Sequence, residues 1–159
     1  MSAVGSGSVS RPDVPAPVQV RLHGSPDTPV GLSVAQLRGL PAHQVEARFN
    51  CLSSGVQQHG FEGPRLWDVL RAAAPEVGLQ GRKARLRFLL AVTGADGHCA
   101  VVSWAEIDPD FGGQQILLAT SMDGVPLDTA GPQLVVPGDY CGARYISGIT
   151  DVWVGPWPG

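Results

Sequence analysis

The chain has 159 residues, of which 43% are hydrophobic and 16% charged, with a formal net charge of −3. That length suits one domain with a real core, and the low charge argues against a disordered chain. The acidic balance and the lack of a basic run exclude a nucleic-acid binder, and no apolar run reaches the ~18 residues of a membrane-spanning helix.

Residues 1–17, rich in Gly, Ser, Pro and Val, read as a flexible tail. They lack the apolar stretch of a signal peptide, and Arg11 has no second arginine beside it, so the expected location is cytoplasmic. Residues 18–159 read as a single domain. Val18 to Leu22 alternates apolar and polar residues, the period of a half-buried strand. Gly24 to Pro29 is a turn. Ser33 can N-cap a short helix, Val34 to Leu40, which Gly39 and Pro41 close. Gln44 to Asn50 alternates again, with Val45, Ala47 and Phe49 on one face, and delivers Cys51 at a strand's C-terminal end. Cys51 to Gly63 is polar and Gly-rich, a loop or irregular hairpin. Pro64 suits a first helical residue. Leu66, Trp67, Leu70 and Ala73 have helical spacing, so Pro64 to Ala74 is the main helix, ended by Pro75.

The second half reads mostly as β. Ala84 to Val92 is apolar enough for a strand buried on both faces, and Ala95-Asp96-Gly97 is a turn. His98 to Ser103 is the next strand, with Cys99 directed into the sheet. Ser103 can cap a turn of helix over Trp104 to Ile107. Glu106 to Asp110 is a short acidic run and reads as a solvated turn. Gln115 to Thr120 is a strand, Asp123-Gly124 a turn, and Gln133 to Val136 a short strand ended by Pro137-Gly138. Arg144 to Val154 is a pair of short strands, or a turn plus a strand. The sum is an α+β chain with at least six short strands and one main helix.

Cys51, Cys99 and Cys141 are odd in number and widely spaced, which makes no disulfide framework, and no CxxC is present. His23, His43 and His59 show no metal-ligand spacing. No nucleophile elbow, phosphate-binding loop or dinucleotide fingerprint occurs.

Several segments follow one another in a telling order. Arg48-Phe49-Asn50-Cys51 comes first, then Phe61-Glu62-Gly63-Pro64-Arg65-Leu66-Trp67-Asp68-Val69-Leu70 and Ala95-Asp96-Gly97-His98. Leu117-Leu118-Ala119 with Met122-Asp123-Gly124-Val125-Pro126-Leu127 follows. Gly131-Pro132-Gln133-Leu134-Val135-Val136-Pro137-Gly138 and Tyr140-Cys141-Gly142-Ala143-Arg144-Tyr145-Ile146 close the series. In this order, over roughly residues 30 to 154, they resemble the sulfite oxidase and methionine-sulfoxide reductase group of molybdopterin enzymes.

The resemblance implies a mixed, barrel-like β-sheet fold with a few short helices. It implies molybdopterin with molybdenum as cofactor, a small anionic or sulfur-containing substrate, oxygen-atom transfer, and a redox partner protein. It puts Cys51 at the metal thiolate with Asn50 beside it, and a soft thiolate suits a sulfur-coordinated metal. The residues alone leave Cys51 equally readable as a buried structural cysteine. His98 falls where a tyrosine often rims the metal pocket, and an imidazole there could pass a proton or orient an oxyanion. It is equally a polar residue at the start of a strand. The pterin phosphate wants fixed cations. The family's arginine and lysine positions fall at Gln133 and Ser147, Asp128 lies in the turn region, and Arg144 is the remaining cation of that segment. These changes predict a weakened hold on the cofactor by this chain alone. They keep a second reading open, a cofactor-free binding or interaction module on the same fold. The resemblance also implies that Cys51, His98 and the Asp139–Ser147 loop converge on one concavity.

Overall fold

The computed structural model describes residues 18–158, so the expected tail at 1–17 lies outside the described residues. β1 (Gln19–Gly24) pairs antiparallel with β2 (Val30–Ser33) and parallel with β11 (Ile149–Pro156). β11 pairs in turn with β5 (Phe88–Gly94), and β5 with β6 (Cys99–Ser103), both antiparallel, giving a five-stranded sheet of order β2-β1-β11-β5-β6. β3 (His43–Cys51), β4 (Gly55–Gly63), β8 (Ser121–Met122) and β9 (Val125–Pro126) form a second sheet in that order, and β7 (Leu117–Ala119) pairs with β10 (Gln133–Val135). The class is the expected α+β with mixed sheets and few short helices. Among the described residues the sheets stay open and close no barrel.

One hydrophobic cluster joins the sheets. Leu90, Val92, Val152 and Val154 enter it from the five-stranded sheet, Leu117 and Leu118 from β7, and Phe61 from β4. The main helix, α2 (Leu66–Ala73), adds Leu66, Val69 and Leu70 on its inward stripe. Each such side chain, fully buried, stabilises the fold by about 1.5–3 kcal/mol. β3 shows the alternation read from the sequence, with Ala47 and Phe49 buried between exposed Glu46 and Arg48.

Local signals set several boundaries as expected. Ser33 caps α1 (Val34–Arg38): its hydroxyl accepts from the Gln36 N–H, and the Gln36 side chain accepts from the Ser33 N–H. α4 (Trp104–Ile107) follows Ser103, whose N–H donates to the Glu106 carboxylate at 2.8 Å.

Other expectations are corrected. Cys51 to Gly63 is a regular hairpin, registered from Cys51 opposite Gly55 to His43 opposite Gly63. Gln58 and Glu62 face solvent, Gln57 and His59 are half-buried, and Gly55 takes the positive φ (76°) that the tight turn demands. The helix begins at Leu66 and not at Pro64, because the preceding residues join the sheet: Arg65 bridges Leu117, and the Pro64 carbonyl accepts from the Leu118 N–H. Residues expected to open a strand at Ala84 instead include α3 (Arg82–Arg85). β5 buries Phe88, Leu90 and Val92 on one face only, with Leu89, Ala91 and Thr93 half-buried on the other. Cys99 is exposed, because the inward positions of β6 are Ala100 and Val102. Of the two readings of Arg144 to Val154, the structure has the turn plus a strand: the end of a 3-10 turn (Gly142–Arg144) and most of β11.

The acidic run is not a solvated turn throughout. Asp108 is 1% exposed. It accepts from Arg85 Nη1 at 2.6 Å, Trp104 Nε1 at 2.7 Å and the Asp110 N–H at 2.8 Å. Among the described residues no helix is long and apolar enough to cross a membrane.

Candidate functional site

The C-terminal end of β3 carries Asn50 and Cys51, and the 139–147 loop runs beside it. The Asn50 N–H donates to the Tyr140 carbonyl at 2.8 Å, and Asn50 forms an isolated parallel bridge with Cys141. Phe49 anchors this contact from below. A Cβ at Gly142 would lie 2.4 Å from Phe49 Cδ2, so the loop passes this close only because residue 142 has no side chain. The Tyr145 ring stacks on Phe49, with centroids 4.0 Å apart. The Tyr145 hydroxyl donates to the Val136 carbonyl at 3.0 Å. Burial pushes its phenol up to about 12, so it stays a protonated, committed donor.

These contacts enclose a concavity of about 420 Å³. The hairpin end supplies Asn50, Cys51, Leu52 and Ser53, the turn between β5 and β6 supplies Asp96 and His98, and the loop supplies Cys141 to Ala143 and Tyr145 to Ser147. Cys51, His98 and the loop thus meet as expected.

Cys51 is the distinctive group. Its Sγ lies 3.5 Å from the Ser54 hydroxyl and 3.6 Å from that of Ser53. Hydrogen bonds from Ser54 first, then Ser53, lower the thiol to about 7, so much of it is thiolate at neutral pH. Across the concavity the His98 N–H donates to Asp96 Oδ1 at 3.0 Å, and the His98 Nδ1 lies 3.3 Å from Oδ2. The backbone bond first, and then the imidazole, hold the Asp96 carboxyl below its usual range. Both side chains are exposed at the rim.

Arg144 does not line the concavity. Its guanidinium is filled: Nε donates to Asp139 at 2.8 Å, Nη1 to Glu106 at 3.2 Å and the Val101 carbonyl at 3.1 Å, and Nη2 to Glu106 at 3.0 Å and Asp139 at 2.9 Å. That occupies every donor an arginine has. Asp128 is ion-paired with Arg38 of α1, and Gln133 sits on β10 opposite Ala119. Neither lines the concavity, whereas Ser147 and Asn50 do. Sequence reading missed Ser53, Ser54, Asp96 and Tyr145. The serine pair directly after a strand-end cysteine was the available signal for the first two.

A larger concavity, about 750 Å³, lies along β3, β4 and the β8–β9 turn and shares no lining residue with the first. Its His59 is held between Asp123 at 2.6 Å and Gln57 at 2.9 Å. Among the described residues no group of three or more His, Cys, Asp and Glu is placed to hold a metal ion.

Over residues 7–156 the sequence matches the family described as the oxidoreductase molybdopterin binding domain. No curated protein matches the chain. Among solved structures the chain is similar to the sulfane dehydrogenase SoxCD from Paracoccus pantotrophus, with a TM-score of 0.65 at 17% identity. The match covers 86% of this chain and 38% of that one, and at this identity it establishes the fold.

Proposed function

The chain belongs to the oxidoreductase molybdopterin-binding domain family, and from that membership we propose that Cys51 is the thiolate that holds molybdenum. On this reading residues 18–159 act as one such domain, and the concavity around Cys51 is where an oxygen atom moves to or from a small sulfur-containing substrate. The observation that carries the reading is the meeting of Cys51, His98 and the 139–147 loop around one concavity.

The donor chemistry fits the metal end of the cofactor. Cys51 is half-buried, lines the concavity, and has its thiol lowered by serine hydroxyls, which suits a soft, sulfur-bound metal. The phosphate end finds no Lys or Arg among the described residues that line this concavity. Molybdenum held by the pterin dithiolene supplies electron-pair redox chemistry and oxygen-atom transfer. Ser53 and Ser54 orient the Cys51 sulfur and hold it in its charged form. Tyr145 and Ile146, both buried, form a water-poor wall behind it. His98 turns Nδ1 toward Asp96, which leaves Nε2 to give or take a proton at the substrate oxygen. In the reducing direction the sulfur–oxygen bond breaks, sulfur regains an electron pair, and the oxygen leaves as water with protons supplied at the rim. A redox partner protein delivers the electrons, or accepts them in the reverse direction.

The test is expression in a host that makes the cofactor, with molybdenum measured per chain by elemental analysis. The expected result is partial loading, because the concavity brings no cation to the phosphate, and loss of the metal in Cys51→Ser with an unchanged circular dichroism spectrum. Equal metal in both proteins overturns the assignment of Cys51. A chain without metal favours the binding-module reading.

A further inference from the structure

We propose that the exposed apolar surface beside Cys51 is the contact with a second copy of this chain, and that Arg48 of each copy supplies the cation the other's concavity lacks. The interface stands on the exposed surface itself. The task given to Arg48 rests on the reading of the concavity as a cofactor site.

Three exposed large hydrophobic side chains gather at one end of β3. Leu52 is 98% exposed, Tyr140 80% and Val56 59%. Backbone pairing makes them neighbours: Asn50 stands opposite Val56, its N–H donates to the Tyr140 carbonyl, and Leu52 follows two residues on. Single apolar side chains on a surface are ordinary, but a contiguous patch with polar neighbours marks a contact.

Charge says what covers the patch. Leu52 also lines the concavity, so a chain docked here reaches its mouth. The cofactor assigned to that concavity carries a phosphate, which calls for a cation. No described residue that lines it is Lys or Arg, and Arg144 has every donor committed to Asp139, Glu106 and the Val101 carbonyl. The occupant therefore has to bring a cation close to Leu52, and this chain carries one on the same face. Ala47 and Phe49 are buried, so the alternation of β3 turns Arg48 and Asn50 outward, in line with Gln58 and Val56 of β4. Arg48 is exposed and pairs with no carboxylate among the described residues.

A two-fold axis over the Asn50–Val56 row lays β3 antiparallel across its copy. Val56 then meets the partner's Val56. Arg48, two residues and about 7 Å before the row, comes to lie over the position two residues beyond it, which is Leu52. Symmetry repeats the contact, so both concavities gain a cation. The two Arg48 residues stand about 13 Å apart, beyond the ~8 Å screening length, and do not oppose the pairing. Three side chains cover only part of the ~800 Å² per partner of a stable interface, so the dimer is expected to depend on concentration.

Sedimentation velocity over a concentration series tests the interface, with circular dichroism as the control for folding. The wild-type chain is expected to pass from monomer to dimer. Leu52→Asp and Val56→Asp are each expected to weaken the dimer on the order of tenfold or more, because a buried apolar contact becomes a buried charge. Molybdenum per chain, in preparations from a host that makes the cofactor, tests Arg48. Arg48→Ala is expected to keep the dimer and lose most of the metal, and Arg48→Lys to recover part of it. Co-expression of Arg48→Ala with Cys51→Ser separates action across the interface from action within one chain. The mixed dimer joins an intact Cys51 to an intact Arg48 from the other copy, so metal is expected to return although neither variant alone holds it. A mixed preparation without rescue, or a dimer unchanged by both aspartates, overturns the inference. A wild-type chain that stays monomeric at hundreds of micromolar overturns it too and leaves the patch to a different protein. Full metal on such a monomer sinks this inference and spares the cofactor reading. A dimer that takes up no metal sinks the cofactor reading and the task of Arg48, while the interface stands.

Discussion

Phe49 and Tyr145 stack with ring centroids 4.0 Å apart and planes 25° apart, and this pair joins the strand end that carries Cys51 to the loop that walls the concavity. Phe49 lies two residues before Cys51 on β3, and Tyr145 directly follows the 3-10 turn. Tyr145→Ala removes the ring and the donor to the Val136 carbonyl, and the expected loss is about 3–5 kcal/mol of stability. Tyr145→Phe keeps the stack and loses one neutral hydrogen bond, for a cost of about 1 kcal/mol. Urea denaturation of the two variants checks this. Equal losses would show that the hydroxyl, and not the stack, holds the loop.

The parts of this fold legible in the sequence are those written as local patterns. The alternation of Val45, Ala47 and Phe49 gave β3 its face and placed Cys51 at its end, and Ser33 and Ser103 marked helix starts. β4 hid because Gln57 and His59 stand on the same face as buried Phe61 and break the apolar alternation, while its pairing with β3 is set by backbone hydrogen bonds. The meeting of Cys51 with His98 and the loop was legible only through the order of motifs, since no local pattern joins residues so far apart in the chain. The fate of the charged residues was not legible. Whether Arg144 faces a ligand or Glu106 and Asp139, and whether Asp128 faces a phosphate or Arg38, depends on long-range packing that no spacing encodes. The burial of Asp108 follows the same logic in part: Trp104 is local, four residues back on the helix that Asp108 ends, but Arg85 reaches it from α3.

Cys51 is expected to react with iodoacetamide at a rate that reaches half its maximum near pH 7, because Ser54 and Ser53 lower its thiol to about 7. Ser54→Ala moves that midpoint upward, toward the ordinary thiol value of about 8.5. Ser53→Ala moves it in the same direction by less. Peptide-resolved mass spectrometry separates Cys51 from Cys99 and Cys141. An unchanged midpoint in both variants would remove the hydroxyls as its cause.

Asp108→Ala is expected to be among the most damaging single changes outside the apolar core. The carboxylate is 1% exposed and satisfies Arg85 and the Trp104 indole N–H. Its loss leaves the buried Trp104 donor without a partner and Arg85 with Asp110 alone, at a cost of about 3–5 kcal/mol. Asp108→Asn keeps an acceptor of the same shape and loses less. Thermal unfolding of both variants decides it, and a mild effect of the alanine would mean that water reaches Arg85.

Arg144 is expected to set how the protein responds to acid. Burial opposes the charge on Glu106, but hydrogen bonds from Arg144 and from Ser103 outweigh it and hold the carboxyl below its usual range. A carboxyl whose folded pKa is depressed stabilises the fold fully above its unfolded value, about 4.3 for a glutamate, and that stability is lost as pH falls through the folded value. Asp96, Asp110, Asp123 and Asp128 are lowered as well and act in the same direction. The wild-type free energy of unfolding is therefore expected to hold from pH 7 down to about 4.5 and then to fall. In Arg144→Ala the burial of Glu106 remains while its cation is gone, so the carboxyl takes up a proton at higher pH. At pH 7 the variant should lose about 1.5–3 kcal/mol, the range for a hydrogen bond to a charged group. Part of that loss should return as the pH is lowered toward 5, because protonation relieves a half-buried carboxylate that has no partner. Arg144→Lys keeps the charge with fewer donors and should fall between the two. Urea titrations at pH 7 and pH 5 give the comparison. A gap between wild type and Arg144→Ala that stays the same at both values would mean that Glu106 is not the group Arg144 holds ionised, and that the loop is fixed chiefly through Asp139.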